Sequence, residues 1–443
     1  MRTTQIFAAS TLYGVATLAA ALDSDCFPAA DRRLLLISNN APAPETSAPL
    51  DTMPGFARLR SRFDGVLSWN DTIAPFHPGG WSPRPDDVPL WERQLRELWD
   101  LGDDRIELAL ESIQVNPAQA VAQLFPDAPL TVYADGLMTY GPTRNKLDPL
   151  IGSRVRRVLH LDLVPDLKPL LLGEFEVPCE TVPTAAFTKT VSELAASETE
   201  LELSGAGGEP MALLLGQYLS ALSILTPEQE EELHLRMLRG AAGRGHRRIV
   251  FKPHPSAPPA RSRALESEAE ALGVQLTVLE RPLLAEVLYE RLSPALVVGC
   301  FSTALLTAST FYGIEVARVG TELLLDRLAP YQNSNRVPVT IADVLLPPLE
   351  PGPAAPSVDL AGLLCAVGYA MQAELRPDLR GAAERYLAAD LDAHTWRYFK
   401  RRRLTSLGLP GAVPAGLIPR NPTLRRVARR ARALVRRTLP SAS

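Results

Sequence analysis

The sequence predicts an α/β protein of two doubly wound domains that face each other across a cleft, followed by C-terminal helices. Three observations carry that prediction. Short apolar strands alternate with helical patterns along most of the chain, the pattern of parallel sheets covered by helices. The alternation runs in two series, separated by the small-residue stretch SGAGGEP (Ser204–Pro210). Finally, 443 residues with 46% hydrophobic and 22% charged side chains describe a globular chain long enough for two or three cores.

The first series begins with a strand over Thr4–Ala9, a Gly-containing loop and a helix over Val15–Leu22. This opening superficially resembles a secretion signal. It carries a single Arg, however, and Ser10, Thr11, Tyr13 and Gly14 break the apolar stretch, so strand–loop–helix is the better reading. Further strands are predicted over Leu34–Ser38, Gly65–Ser68, Arg105–Leu110 and Leu130–Tyr133. The second series has strands over Ala212–Leu215, Arg248–Phe251, Val274–Leu279, Ala295–Val298 and Glu315–Val319. Between its first two strands lies LTPEQEEEL, where Thr226 is set to cap a helix, Pro227 to open it and Gln229 to close a capping box. PPLEPGPAAP (Pro347–Pro356) reads as a surface loop or linker. The expected domains are 1–205, 206–385, and a helical and basic region over 386–443.

Composition narrows the function classes. Cys26, Cys179, Cys300 and Cys365 lie far apart with no CxxC pair, which argues against a disulfide framework and a zinc site and predicts a reducing cytoplasm. No run of 18 apolar residues predicts a membrane span. Five lysines accompany 41 arginines. Thirteen basic and no acidic residues fall between Arg397 and Arg437, leaving a net charge of −17 on the rest of the chain.

Ligands of doubly wound sheets bind beyond the carboxyl ends of the strands. Three strands end in polar residues. Asp135-Gly136 follows Leu130–Tyr133, Lys252-Pro253-His254-Pro255 follows Arg248–Phe251, and Ser302-Thr303 follows Ala295–Val298 at a helix start. A helix N-terminus capped by Ser or Thr offers N–H groups and a positive dipole end to an anion such as a phosphate. His254, stiffened by a proline on each side, could donate a hydrogen bond or proton to a departing phosphate. Asp135, from the opposite domain, could take the proton of an attacking hydroxyl. Singly, each has a plain structural reading: a turn, a packed histidine, a helix cap. Together they describe group transfer from a nucleotide-activated donor.

The order Asp-Gly, Lys-Pro-His-Pro, Ser-Thr resembles the acidic-Gly, HP and Ser/Thr motifs of bacterial sialyltransferases. The opening TTQIFAASTLYGVATLAAAL and the motif spacing are most similar to the alpha-2,8-polysialyltransferase family, in an actinobacterial type, over residues 4–400. The resemblance implies a GT-B fold, CMP-sialic acid as donor, inversion at the anomeric carbon, and no metal or other cofactor. By position it implies Asp135 as general base and His254 as the group assisting departure of CMP. It also implies Ser302 and Thr303, with Lys252 and Pro255, at the donor phosphate, and Gly216-Gln217 near the nucleotide. One position departs: Ala134 stands where the motif carries the first of two acidic residues. The DxD matches Asp23-Ser24-Asp25 and Asp390-Leu391-Asp392 fall at predicted helix ends, away from any core strand, and are not read as metal sites.

FHPGGWSPR (Phe76–Arg84) offers His77, Trp81 and Arg84 as acceptor contacts, with Arg144 of GPTRNK as a further cation; a structural loop and solvated charge are the competing readings. ESIQVNP (Glu111–Pro117) follows a strand and borders the cleft. In the tail, Leu424, Val427, Ala428, Ala431, Leu434 and Val435 recur at helical intervals with arginines between them, as in a helix lying on an anionic membrane surface; a solvated helix face and binding of a polyanionic product are the competing readings. Expected partners are thus a nucleotide-sugar donor, a glycan or glycolipid acceptor and the inner face of the cell membrane. Neither basic stretch lies in a nucleic-acid module. The alternatives are a GT-B transferase using CMP-Kdo or CDP-glycerol, and a non-catalytic protein of envelope-glycan assembly.

Overall fold

The computed structural model describes residues 2–134, 136–198, 210–254, 263–279, 281–352 and 356–412. Twelve strands among them form two all-parallel sheets. The first has seven strands, β1 (Thr3–Ala9), β2 (Arg32–Ile37), β3 (Gly65–Ser68), β4 (Arg105–Glu111), β5 (Leu130–Ala134), β6 (Val155–Leu161) and β7 (Cys179–Val182), in the order β3-β2-β1-β4-β5-β6-β7. The second has five, β8 (Met211–Leu215), β9 (Arg248–Lys252), β10 (Gln275–Val278), β11 (Leu296–Gly299) and β12 (Glu315–Arg318), in the order β10-β9-β8-β11-β12. Each sheet reverses its strand order once, beside β1 and β8 respectively. Crevices at the strands' carboxyl ends open there. This is the GT-B arrangement.

Burial explains why the apolar runs become strands. Ile6 and Phe7 in β1, Leu34 and Leu35 in β2 and Leu213 and Leu214 in β8 are fully inaccessible, as strands covered on both faces require. The helix after β1 is longer than expected, Leu12–Asp23, because Thr11 caps it by accepting from the Gly14 N–H at 2.9 Å. Its alanines let it pack closely against Thr184–Ser197. The capping box forms with both bonds: Gln229 N–H to Thr226 Oγ1 at 3.3 Å and Thr226 N–H to Gln229 Oε1 at 3.1 Å. Two strands went unread in the sequence. β6 (VRRVLHL) is interrupted by Arg156 and Arg157, and β7 (CETV) is a short edge strand with three exposed residues. The break at Ser204–Pro210 lies outside the described residues except for Pro210, and the tail beyond Ala412 lies wholly outside them.

After the second sheet the chain crosses back. The helix Leu360–Met371 brings Gly368 within contact of Leu170 and Pro142. Arg376 then donates to the Leu170 carbonyl at 2.8 Å. Across the cleft floor Thr310 donates to the Leu163 carbonyl at 3.2 Å, and Phe187 packs edge-on to Phe311 at 6.0 Å. One continuous apolar core joins residues of both sheets. Farther out, the buried Asp343 carboxylate accepts from Tyr398 at 2.8 Å and pairs with Arg318 at 3.0 Å, tying the C-terminal segment to the end of β12.

Candidate active site

Three strand ends converge where the sheets face each other. On the second sheet, β8 runs into Gly216, Gln217 and Tyr218. Gly216 N–H donates to the Lys252 carbonyl at 2.8 Å. A Cβ at Gly216 would lie 2.9 Å from Phe251 Cζ and 3.1 Å from that carbonyl, so only glycine lets β8 and β9 end this close together. Gln217 is buried; its N–H donates to His234 Nε2 at 3.0 Å. Glu230 accepts from the Leu219 N–H at 2.5 Å and the Ser220 hydroxyl at 2.5 Å, fixing the turn that carries Tyr218.

Tyr218 is the residue whose role the sequence hid. Its ring stacks on His254 with centroids 5.7 Å apart and planes 9° apart. Burial, and then the Lys252 ammonium, holds the His254 imidazole down to about 4, against the partial pull of Glu230. Solvent still reaches the ring. The direction is therefore what carries weight: at pH 7 His254 is a neutral imidazole with one N–H to give. Lys252 is itself pushed down by burial, with Glu286 opposing. Glu286 is buried and raised by that burial, and it accepts from the Thr307 hydroxyl at 2.7 Å. Pro255 lies outside the described residues.

β11 ends at Gly299, and Ser302 caps the helix Thr303–Tyr312 by accepting from the Ala304 N–H at 3.3 Å. Thr303 faces the other domain. Its Oγ1 accepts from the Leu137 N–H at 3.3 Å, a contact across 166 residues of sequence. A Cβ at Gly136 would stand 2.8 Å from the same oxygen. Asp135 lies outside the described residues, but both its neighbours are placed: Ala134 ends β5, and Gly136 abuts Thr303. The Asp-Gly and Ser-Thr motifs therefore meet across the cleft. Gly136→Ala is expected to strain this contact, costing about 1–3 kcal/mol of stability. Chemical denaturation should show the loss, with Thr303→Ala recovering part of it in the double variant.

On the first sheet, Glu111 at the end of β4 accepts from the Ser10 N–H at 2.6 Å and the Ser10 hydroxyl at 2.7 Å. Ser112 follows at φ +46°, an unfavourable left-handed turn for a non-glycine residue beside the cleft. The acceptor candidates are more dispersed. His77 Nε2 donates to the Ala41 carbonyl at 2.9 Å while Nδ1 accepts from the Gly79 N–H at 3.1 Å, so the ring staples two loops. Trp81 packs edge-on against Trp69 at 5.7 Å and Trp91 at 5.1 Å. Arg84 is exposed and pairs with Asp87 at 3.1 Å. His77, with Phe76, Asp51 and Asp71, lines a cavity of about 550 Å³ beyond β2 and β3. Arg144 stands apart from these three, close to Met138 and the Gly136 turn. Among the described residues no cluster of three or more His, Cys, Asp or Glu side chains could hold a metal ion, and no helix is long and apolar enough to cross a membrane.

The sequence profile of the alpha-2,8-polysialyltransferase family matches residues 5–321. No protein of curated function matches. Among solved structures, Phytolacca americana UGT2 complexed with UDP-2-fluoro-glucose and pterostilbene is 11% identical, over 92% of this chain and 99% of that one, with a TM-score of 0.42. A Photobacterium sp. 2,6-sialyltransferase, in a ternary complex with CMP and lactose, is 11% identical over 69% of each chain at a TM-score of 0.37. The GT-B domain of a Photobacterium damselae sialyltransferase is 11% identical, over 76% of this chain and 95% of that one, at 0.38.

Proposed function

This chain belongs to the alpha-2,8-polysialyltransferase family and is a sialyltransferase, and from that premise we propose how its cleft moves the sugar. The donor is CMP-sialic acid, and the acceptor is a glycan hydroxyl. The donor phosphate lies against the N-terminus of the helix Thr303–Tyr312, where Ser302, Thr303 and the positive end of the helix meet the anion. Lys252 adds a cation from the end of β9, and Gly216-Gln217 border the nucleotide. Asp135 takes the proton of the acceptor hydroxyl as its oxygen bonds to the anomeric carbon. The carbon–oxygen bond to phosphate breaks on the opposite face, and CMP leaves with its charge met by His254 and the helix. One proton, from hydroxyl to carboxylate, and one bonding pair, from sugar to phosphate, balance the step. No metal is needed for it.

The observation that supports this reading most is the contact of Leu137 and Gly136 with Thr303. It sets the turn bearing the proposed base against the helix bearing the proposed phosphate site. The inverting geometry requires that proximity. The basic tail Asn421–Leu439 would hold the enzyme to an anionic membrane surface, where a glycolipid acceptor would lie. Purified protein offered CMP-sialic acid, CMP-Kdo and CDP-glycerol in parallel should release CMP from the first alone. Turnover of either of the others in preference to it would reassign the donor. Tight CMP binding with no turnover of any would remove the catalytic reading.

A further inference from the structure

Among the half-buried arginines, Arg144 is distinctive for what it lacks. Arg318 has Asp343, Arg376 has Asp378, and Arg154 donates to four backbone carbonyls. Arg144 has neither carboxylate nor carbonyl partner for its guanidinium among the described residues. Its Nη2 reaches only the Met138 thioether at 2.9 Å, a weak acceptor, and its Nε is buried with no partner. Burial lowers its pKa, and among the described residues no carboxylate opposes that. A guanidinium stays charged regardless, so this is an unanswered cation.

Its backbone, by contrast, is held from both sides. The Arg144 N–H donates to Gln114 Oε1 at 2.5 Å, and the Arg144 carbonyl accepts from Gln372, just past the helix that crosses back from the second sheet. Met138 is partly exposed on the short turn Leu137–Tyr140, whose first N–H touches Thr303. The backbone that carries the guanidinium is thus fixed beside the turn that meets Thr303. Burying an unpaired guanidinium is costly unless an anion arrives to use it.

We infer that Arg144 receives the C1 carboxylate of a sialyl residue, through Nε and a terminal nitrogen, displacing the thioether contact. The inference rests on the sialyl-transfer reading and specifies its selectivity: the site discriminates acidic nonulosonic sugars from neutral ones. Both the donor and a sialylated acceptor present such a carboxylate.

Binding to the full chain can be read by NMR or calorimetry with N-acetylneuraminate and its neutral methyl ester. The acid should bind about tenfold or more tightly than the ester, and Arg144→Gln should remove that difference, with Arg144→Lys intermediate. Equal binding of acid and ester to the unaltered protein overturns the inference even if Arg144→Gln fails to fold. So does an unchanged preference in a folded Arg144→Gln variant that still binds CMP. Kinetics then separate the sources. A raised KM for CMP-sialic acid hydrolysis assigns the donor carboxylate, and a raised KM for a sialylated acceptor alone assigns the acceptor's; no rise in either overturns the inference. Neuraminate binding is measured without turnover, so absence of CMP-sialic acid turnover would count against the transfer reading and not against this one.

Discussion

Asp135→Asn is expected to lower kcat for sialyl transfer by about 10²–10⁴-fold, the usual contribution of a positioned general base, and to leave CMP affinity within about threefold. The acceptor hydroxyl is a very weak acid, so a carboxylate within hydrogen-bond reach must take its proton as the new bond forms. In the proposed site CMP rests on the opposite domain, so its binding should not register the change. A rival carboxylate among the described residues is Glu111, on the strand beside β5 and in register with Tyr133. Its oxygens are already engaged by Ser10, at 2.6 and 2.7 Å, and by Thr11 at 3.4 Å. Glu111 therefore anchors the loop after β1. Glu111→Gln should disturb acceptor KM or stability more than kcat. If instead Glu111→Gln abolished transfer and Asp135→Asn spared it, the base would have to be reassigned. Rate assays with saturating donor, together with CMP titrations of each variant, distinguish these outcomes. Ala134 offers no second carboxyl group beside the proposed base, so Glu111 is the substitute that these variants test.

How far the sequence reveals this site depends on the range of the interactions involved. The strand ends are readable because β5, β9 and β11 are apolar runs followed by Asp-Gly, Lys-Pro-His-Pro and Ser-Thr, a purely local signal. β6 is not, because Arg157 leaves the sheet to pair with Glu180 and to lie over Phe27, which breaks the apolar pattern with a tertiary contact. The meeting of Gly136 with Thr303 is likewise invisible in one dimension. Both residues announce strand ends, but only the docking of two domains makes a side chain at Gly136 crowd Thr303. Tyr218 carried no signal of its own, since an aromatic after a strand is ordinary until His254 is found stacked on it. The loop Phe76–Arg84 shows the reverse. Its aromatic and histidine suggested sugar contacts, yet His77 and Trp81 spend their polar and aromatic faces on holding loops and neighbouring rings.

His254→Ala is expected to lower kcat by about 10²–10³-fold, with a smaller loss for His254→Asn, which retains an N–H donor. The reasoning turns on the protonation state. In the free protein the ring is held down to about 4, so near pH 7 it is neutral and gives a hydrogen bond but no readily transferred proton. An arriving CMP phosphate reverses the balance. Its negative charge favours imidazolium, opposing the burial and the Lys252 charge that now disfavour it. The His254 pKa should therefore rise on CMP binding, a shift that NMR titration of the ring protons reads directly. In the donor complex kcat should then fall as pH rises through that elevated pKa, if the protonated ring is the form that assists departure. The same depression has the opposite bearing on folding. A native pKa of about 4 lies below the ordinary 6.5, so the unfolded chain takes the proton first. Its contribution to stability is present above pH 6.5 and is lost as pH falls toward 4. His254→Asn should flatten that acid-side decline while removing the pH dependence of kcat. A ring pKa that CMP leaves unmoved, or an alanine variant within threefold of the original kcat, would place His254 outside the chemistry. The flanking prolines would then do no more than end β9.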